Sequence, residues 1–92
     1  RKILMTSKNL SISINCVSER LDDELVILNL STGKYHQLTK TGIFIWETVL
    51  AEQITLDQLI LKAEGQFQGE SIRNDIIAFV KVLLEKDIFV ES

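Results

Sequence analysis

Few residues of this 92-residue chain could do chemistry, and none has the partner that catalysis requires. His36 is the only histidine, and general acid or base catalysis needs a second polar group that positions the imidazole. Gly33 and Lys34 form a GK pair, but the upstream glycine and the following Ser or Thr of a phosphate-binding loop are missing. We therefore expect a structural or solvent-facing histidine, a turn at Gly33, and neither an enzyme nor a catalytic residue.

Metal and cofactor sites are not predicted either. Asp22, Asp23 and Glu24 are consecutive acidic residues, whereas a calcium loop alternates its ligands and needs a glycine for its turn. Cys16 is the only cysteine, and nothing near it has a metal-ligand spacing. A single thiol forms no internal disulfide, which favours a reducing, cytoplasmic location. We expect no metal and no cofactor.

Composition predicts one small globular domain that covers residues 1–92. Apolar residues make up 46% of the chain, and thirteen acidic residues against ten basic ones give a net charge of -3. Such a chain has no global positive field to hold nucleic acid, and no apolar run approaches the roughly 20 residues that cross a bilayer. Neither a nucleic-acid nor a membrane partner is expected. Because the chain begins at Arg1, we also expect that residues precede it or that it belongs to a larger protein.

Hydrophobic periodicity places three strands before three helices. LSISINC alternates apolar and polar residues, LVILNL is apolar on both faces as in a covered central strand, and KYHQL follows it at hairpin distance. TLDQ is a capping-box pattern that opens the second helix, and Trp46 on the first helix is expected in the core. Strands are predicted near residues 10–17, 24–30 and 34–38, and helices near 40–51, 56–65 and 70–86.

The predicted fold class is α+β and winged helix-turn-helix-like. A three-stranded antiparallel sheet over residues 10–38 is followed, over residues 39–90, by a three-helix bundle and a short C-terminal extended piece.

The third predicted helix carries more apolar surface than one core needs. At about 100° per residue, the expected core stripe consists of Ile72, Ile76, Phe79 and Leu83. A second cluster, about 110° round the helix, consists of Arg73, Ile77, Val80 and Leu84. Two interpretations stay open: neighbouring helices cover this second cluster, or it lines a groove beside the sheet. In the groove interpretation Ile77, Val80 and Leu84 are partly accessible, while Ile72, Phe79 and Leu83 are buried.

The segment LNLSTGKYHQLTKTGIFIWETVL, residues 28–50, resembles the PqqD-like family. Members show an apolar strand, a polar turn with glycine, an aromatic residue, a leucine before a polar residue, and then a glycine and an Ile-Trp pair. The matching positions are Leu28, Gly33, Tyr35, Leu38, Thr39, Gly42, Ile45 and Trp46. TLDQLILKAEGQF and VKVLLEKDIFVES resemble the family's second helix and its closing helix and strand. The chain departs from the family in having no proline near the turn and Thr39 where an acidic residue or asparagine is frequent.

This resemblance implies a recognition element for ribosomally synthesised and post-translationally modified peptides (RiPPs). Such an element binds the leader segment of a precursor peptide and presents its core to a modifying enzyme. As a small separate chain, it is most similar to the leader-binding proteins of lasso-peptide clusters, whose partners are a leader peptidase and a cyclase. A role in quinone-cofactor (PQQ) biosynthesis or beside a radical-SAM maturase is the alternative within the family.

The implied site lies along the third predicted strand, in the cleft beside the third helix, where the leader adds as a further strand. The candidate peptide-binding residues are Lys34, Tyr35, His36, Gln37, Leu38, Arg73, Ile76, Ile77, Val80 and Leu84.

A winged-helix DNA-binding module is the rival outside the family. Such a protein places its third helix in the major groove and needs basic residues there. The predicted helix and its flanks hold three basic residues against four acidic ones: Arg73, Lys81 and Lys86 against Glu70, Asp75, Glu85 and Asp87. This excess of one negative charge disfavours phosphate binding.

Overall fold

The computed structural model describes residues 8–67 and 72–91, which form six strands and three helices. The strands are β1 (Asn9–Ile12), β2 (Cys16–Leu21), β3 (Glu24–Asn29), β4 (Lys34–Thr39), β5 (Ile54–Thr55) and β6 (Phe89–Glu91). The helices are α1 (Thr41–Ala51), α2 (Leu56–Gln66) and α3 (Ile72–Glu85). The α+β class and the three helices are confirmed. The first two residues predicted for the third helix, 70 and 71, lie outside the described residues.

The described strands form two antiparallel sheets rather than the single one predicted. One sheet is a meander with the order β2-β3-β4, in which Leu28 of β3 lies opposite both Val17 and Tyr35. In the other sheet β1 lies between β5 and β6. The strands of this second sheet come from distant parts of the chain, so their pairing leaves no local pattern in the sequence.

The single strand predicted at residues 10–17 is wrong, because the chain turns between β1 and β2. The Cys16 amide donates to the Ser13 carbonyl at 3.1 Å, and the Ser13 amide donates to the Ile88 carbonyl at 2.9 Å. Ile14, which the alternation places on the buried side, lies in this turn and is 96% exposed. β2 then continues to Leu21, beyond the end of the predicted strand. Polar side chains suit β2 because it is a mostly exposed edge strand.

The hydrophobic core contains residues of both sheets and of all three helices. Trp46 of α1 is 1% exposed, as predicted, and stacks on Phe89 of β6 with the ring centroids 6.1 Å apart. Leu25 and Ile27 of β3 also face this core, whereas Val26 on the opposite face of the sheet is half-buried. The prediction of a central strand covered on both faces is therefore correct for the inner face only.

Two local signals fix the hairpin and the second helix where the sequence predicts them. Gly33 has a φ of 73°, which glycine adopts without steric cost, and its amide donates to the Asn29 carbonyl at 2.7 Å. The Thr55 hydroxyl accepts from the Gln58 amide at 3.2 Å, and the Gln58 side chain accepts from the Thr55 amide at 3.1 Å. The Gly33 turn joins β3 to β4, and β4 lies at the edge of its sheet.

Candidate functional site

α3 turns a different flank toward the core than its sequence suggests. Its fully buried residues are Ile76, Val80, Leu83 and Leu84. Ile72 and Phe79 are only half-buried, and Val82 is 45% exposed. The prediction that Val80 and Leu84 are accessible is therefore wrong, as is the prediction that Ile72 and Phe79 are buried. Helical periodicity gives the width of an apolar arc, but the positions of the neighbouring elements decide which part of it is covered.

The flank of α3 that carries Arg73 lies beside α2. The Arg73 Nε lies 3.7 Å from the carboxylate of Glu64, near the end of α2. Ile77, one turn after Arg73, is half-buried and thus partly accessible as predicted. Neighbouring elements cover Val80 and Leu84 on this side, which supports the interpretation without a groove here. Their side chains, and that of Ile76, offer a peptide no surface, which corrects their place among the candidate peptide-binding residues.

The side of α3 that does face β4 carries a stripe with helical spacing, Ile72, Asp75, Phe79 and Val82, which Lys86 continues directly after the helix. At about 100° per residue these positions fall within an arc of about 80°. A Cβ built on Gly42 would lie 3.3 Å from both the Leu38 Cβ and the Phe79 ring. Gly42 therefore marks the point where the end of β4, the start of α1 and the middle of α3 come together.

The space between this stripe and β4 is called here the β4–α3 cleft. Thr41, Gly42, Ile45, Ile72, Asp75 and Phe79 line one end of it. Asn29, Thr32, Lys34, His36, Glu85, Lys86 and Asp87 line the other. The cleft thus has an apolar end beside Phe79 and a polar end beside His36.

The polar end of the cleft contains the only histidine of the chain, His36. The pKa of His36 lies below its ordinary value of 6.5, first because burial disfavours the charged ring and then because Lys86 and Lys34 repel a further positive charge. His36 makes no side-chain hydrogen bond or ion pair among the described residues. Beside it, the buried Asn29 donates from its side chain to the Lys86 carbonyl at 3.5 Å, which ties the hairpin to the end of α3.

The free edge of β4 presents backbone groups beside the cleft. Leu30, directly after β3, donates its amide to the Asn15 carbonyl on the β2 side at 2.8 Å. Successive amides of a strand point to opposite sides, so the even-numbered residues of β3 face β2 and the odd-numbered ones face β4. His36 lies opposite an odd-numbered residue and donates into the sheet. Tyr35 and Gln37 therefore point their amides outward, and neither has a partner among the described residues.

The opposite edge of the same sheet, on β2, has different surroundings. By the same alternation the Ser18 amide points outward there. Arg20, two residues later, forms an ion pair of 2.6 Å with Glu47 of α1. A hollow at the end of the sheet where β2 turns into β3 is lined by Arg20, Asp23, Glu24, Lys40 and Ile43. The β4 edge has its free amides beside the partly apolar β4–α3 cleft. Residues of β2 line a separate apolar hollow on the outer face of the sheet, together with Leu28 and Tyr35.

Five of the candidate residues lie together along β4, and they alternate between the two faces of the sheet. Lys34 and His36 line the polar end of the cleft, and Leu38 is buried beneath it at 6% exposure. Tyr35 and Gln37 are exposed and alternate with them, so their side chains lie on the outer face of the sheet. Their backbone amides, rather than their side chains, adjoin the cleft.

Sequence reasoning missed the cleft residues outside β4: Gly42, Ile72, Phe79, Val82 and Lys86. The signal that could have found them is Val82, an apolar residue outside both stripes predicted for the helix. With Ile72 and Phe79 it forms a third apolar line at helical spacing.

Among residues 8–67 and 72–91, no group of three or more His, Cys, Asp or Glu side chains is placed to hold a metal ion. None of the helices in the described part of the chain has the length and apolar character that a membrane span requires.

Comparison with known proteins identifies a family model and solved structures that are similar to this chain. A family model described as coenzyme PQQ synthesis protein D (PqqD) matches residues 24–88. No curated protein sequence gives a significant match. The chain is similar to the structure of TbiB1 in complex with the TbiA(beta) leader peptide, with 27% identity and a TM-score of 0.76 over 86% of this chain and 93% of that chain.

A second solved structure, lasso peptide synthetase B1 complexed with the leader peptide, shares the fold. Its TM-score is 0.75 at 20% identity, over 88% of this chain and 96% of that chain. At this identity the similarity shows the fold alone.

Proposed function

The chain belongs to the PqqD family, and from this membership we propose that it binds the leader segment of a ribosomally synthesised precursor peptide. In this proposal the leader adds as a strand at the edge of β4 and lies in the β4–α3 cleft. The protein performs no chemistry itself. It holds the leader so that the core of the precursor reaches the enzyme that modifies it.

One observation carries the proposal: two unpartnered amides on an edge strand adjoin a partly apolar cleft. Tyr35 and Gln37 point these amides outward, and Phe79 lies near the end of the same strand. A peptide strand satisfies such amides whatever its sequence, and the cleft accepts alternate side chains, which supplies the selectivity. A bound strand also covers an edge that could otherwise pair with other chains. The solved relative TbiB1, at 27% identity, is in complex with a leader peptide.

We assign His36 to leader binding rather than to catalysis. Its imidazole has two lysines nearby and no carboxylate hydrogen bond among the described residues. An imidazole beside lysines can line a cleft, and no described residue holds this one by a hydrogen bond as proton transfer would require. We therefore keep His36, with Lys34, as a residue that contacts the leader.

We further propose a place for this protein in lasso-peptide biosynthesis in the cytoplasm, with a leader peptidase and a cyclase as partners. We also propose that the α+β fold is of the winged helix-turn-helix kind, as predicted from the sequence. A test uses the peptidase and the precursor together with this protein. Leader cleavage should be faster with the wild-type protein than with a variant that no longer binds the leader, and equal rates would contradict the partnership.

The leader-binding proposal is tested by proline substitutions at the two edges of the sheet. Gln37→Pro removes an outward amide of β4, so we expect a loss of about tenfold or more in affinity while the fold persists. Ser18→Pro is the matched control, because it removes an outward amide of β2, on the opposite edge. It should leave the affinity unchanged.

Fluorescence anisotropy with labelled synthetic leaders measures these affinities. The TbiA(beta) leader is the first probe, followed by the leaders of short peptides encoded beside this chain's gene. Thermal melts confirm that each variant is folded. Failure of the wild-type protein to bind any of these leaders, or equal losses for Gln37→Pro and Ser18→Pro, would contradict the proposal.

A further inference from the structure

The outer face of the β2-β3-β4 sheet carries a row of apolar side chains that ends at the free edge. The row consists of Val17, Leu28 and Tyr35, which lie opposite one another on adjacent strands. Val17 is 49% exposed and Tyr35 is 69% exposed, while Leu28 between them is half-buried. The Tyr35 ring therefore has an apolar neighbour on its inner side and none on the side of the free edge among the described residues.

The next row of the same face is chemically different. It consists of Glu19, Val26 and Gln37, so its member on β4 is a polar amide. The outer face of the edge strand thus presents an aromatic ring at one position and an amide two residues later. Neither side chain is needed for the backbone pairing that the proposed function requires, since any residue supplies the same backbone amide.

A strand added at this edge would place its alternate side chains on the two faces of the sheet. The side chains on the inner face enter the β4–α3 cleft. One on the outer face stands beside Tyr35, because cross-strand neighbours on one face lie about 5 Å apart. Tyr35 thus belongs to the same edge whose backbone holds the leader in the proposed function. A side chain of the leader is therefore the group placed to cover its ring.

We propose that Tyr35 is a second specificity-determining residue, whose ring packs against an apolar, preferably aromatic or β-branched, side chain of the leader on the outer face of the sheet. This inference rests on the proposed function. It defines the leader more closely than strand addition does. The bound segment is apolar at the outward position paired with Tyr35 as well as at the flanking positions that face the cleft, and it accepts a polar residue opposite Gln37.

The test is a leader scan carried out with two proteins. Each apolar residue of the labelled leader that binds the wild-type protein is replaced in turn by serine, and the affinities are measured for wild type and for Tyr35→Thr. Threonine keeps the strand propensity and the backbone amide but removes the ring. Val17→Thr is the control, because Val17 belongs to the same row but lies on β2, two strands from the β4 edge.

We expect one leader position where serine costs about two- to fivefold in affinity with wild type and nothing with Tyr35→Thr, the size of one cross-strand pair. The positions on either side of it, which face the cleft, stay sensitive in both proteins. Val17→Thr should reproduce the wild-type profile.

Identical profiles for wild type and Tyr35→Thr would overturn the role of Tyr35 while leaving the proposed function intact. The same would follow if Val17→Thr abolished the same sensitivity, or if sedimentation showed a wild-type dimer that Tyr35→Thr dissociates. A wild-type protein that binds no leader would instead refute the proposed function itself.

Discussion

Lys40 links β4 to α1 in a backbone conformation that glycine adopts more easily. Its φ is 45° and its ψ is -109°, and it makes no side-chain capping hydrogen bond at the start of α1. A side chain in this region costs on the order of 1–3 kcal/mol. We expect Lys40→Gly to raise the free energy of unfolding by about 1 kcal/mol, which corresponds to about 4–8 °C in the melting temperature.

Lys81→Gly is the control for this substitution, because Lys81 is exposed within α3 and has no positive φ. There the same change should lower the free energy of unfolding by about 1 kcal/mol through helix propensity. If thermal melts show that Lys40→Gly is also destabilised, the strain assigned to Lys40 is wrong.

His36 should titrate below the ordinary histidine value. Burial and the charges of Lys86 and Lys34 disfavour its protonated form in the folded protein, so its folded pKa is lower than its unfolded pKa of 6.5. Stability is therefore lost as the pH falls through 6.5 toward the folded pKa, although the loss is small because the half-buried ring keeps contact with water.

NMR titration of the His36 ring measures this directly. Lys86→Met should raise the pKa of His36 but leave it below 6.5, since burial is the larger cause. A wild-type value at or above 6.5 would contradict the position of the ring at the polar end of the cleft.

At the scale of single residues, the sequence predicts best where the physical cause is local. Gly33 is needed for a turn that requires positive φ, and Thr55 with Gln58 satisfies amides within its own helix. The positive φ of Lys40 could not be predicted in this way, because neither its residue type nor its neighbours in the sequence favour such a conformation. Its conformation follows from how β4 and α1 pack.

Two neighbouring valines of α3 test which side of that helix faces the cleft. Val80 is fully buried, so Val80→Asp should unfold the protein, because a buried carboxylate without a partner costs several kcal/mol. Val82 is 45% exposed on the cleft stripe, so Val82→Asp should leave the fold intact and weaken leader binding severalfold. Circular dichroism and anisotropy separate the two effects. A folded Val80→Asp protein that has lost leader binding would restore the groove first predicted on the other flank.

A pair of glycines tests the close approach at the apolar end of the cleft. The added methyl group of Gly65→Ala in α2 has no described residue within 4 Å, so helix propensity should raise the free energy of unfolding by about 0.5–1 kcal/mol. Gly42→Ala places a methyl group 3.3 Å from Leu38 and from Phe79. It should gain less stability than Gly65→Ala, or lose some, because the half-buried Phe79 ring must move into the cleft.

Leader affinity gives the second readout of this pair. It should fall for Gly42→Ala, whose crowded ring narrows the cleft, and stay unchanged for Gly65→Ala. Equal stabilisation by the two substitutions, with full affinity in both, would show that the contact at Gly42 has no influence on the cleft.

At the scale of elements, the types of the helices and of the hairpin follow from periodicity, whereas two placements do not. The alternation of LSISINC continues through Ile14, but a turn interrupts the strand there. The apolar arc of α3 is as wide as predicted. Its buried residues, however, group around Val80 rather than around Ile72. Both depend on contacts with elements distant in sequence, which a local pattern does not encode.

At the scale of the whole molecule, the second sheet explains why the cleft lies where it does. Leu10 of β1 pairs with Ile54 and Glu91, which brings together the start, middle and end of the chain. This sheet occupies the side of α1 that carries Trp46, through its stack on Phe89 of β6. The β2-β3-β4 sheet is separate from it and has β4 as one of its edges. The resemblance to a family predicted this edge as the binding site. Composition and residue spacing alone do not identify which edge of a sheet binds a peptide.

Amide hydrogen exchange with and without the leader tests the central claim most directly, because it reports which edge of the sheet the peptide occupies. The labelled leader that binds best is added in excess, and exchange is followed residue by residue by NMR. The amides of Tyr35 and Gln37 should exchange more slowly when the leader is bound, while the Ser18 amide on the β2 edge exchanges as before. Protection at Ser18 without protection at Tyr35 and Gln37 would contradict the assignment of the leader to the β4–α3 cleft.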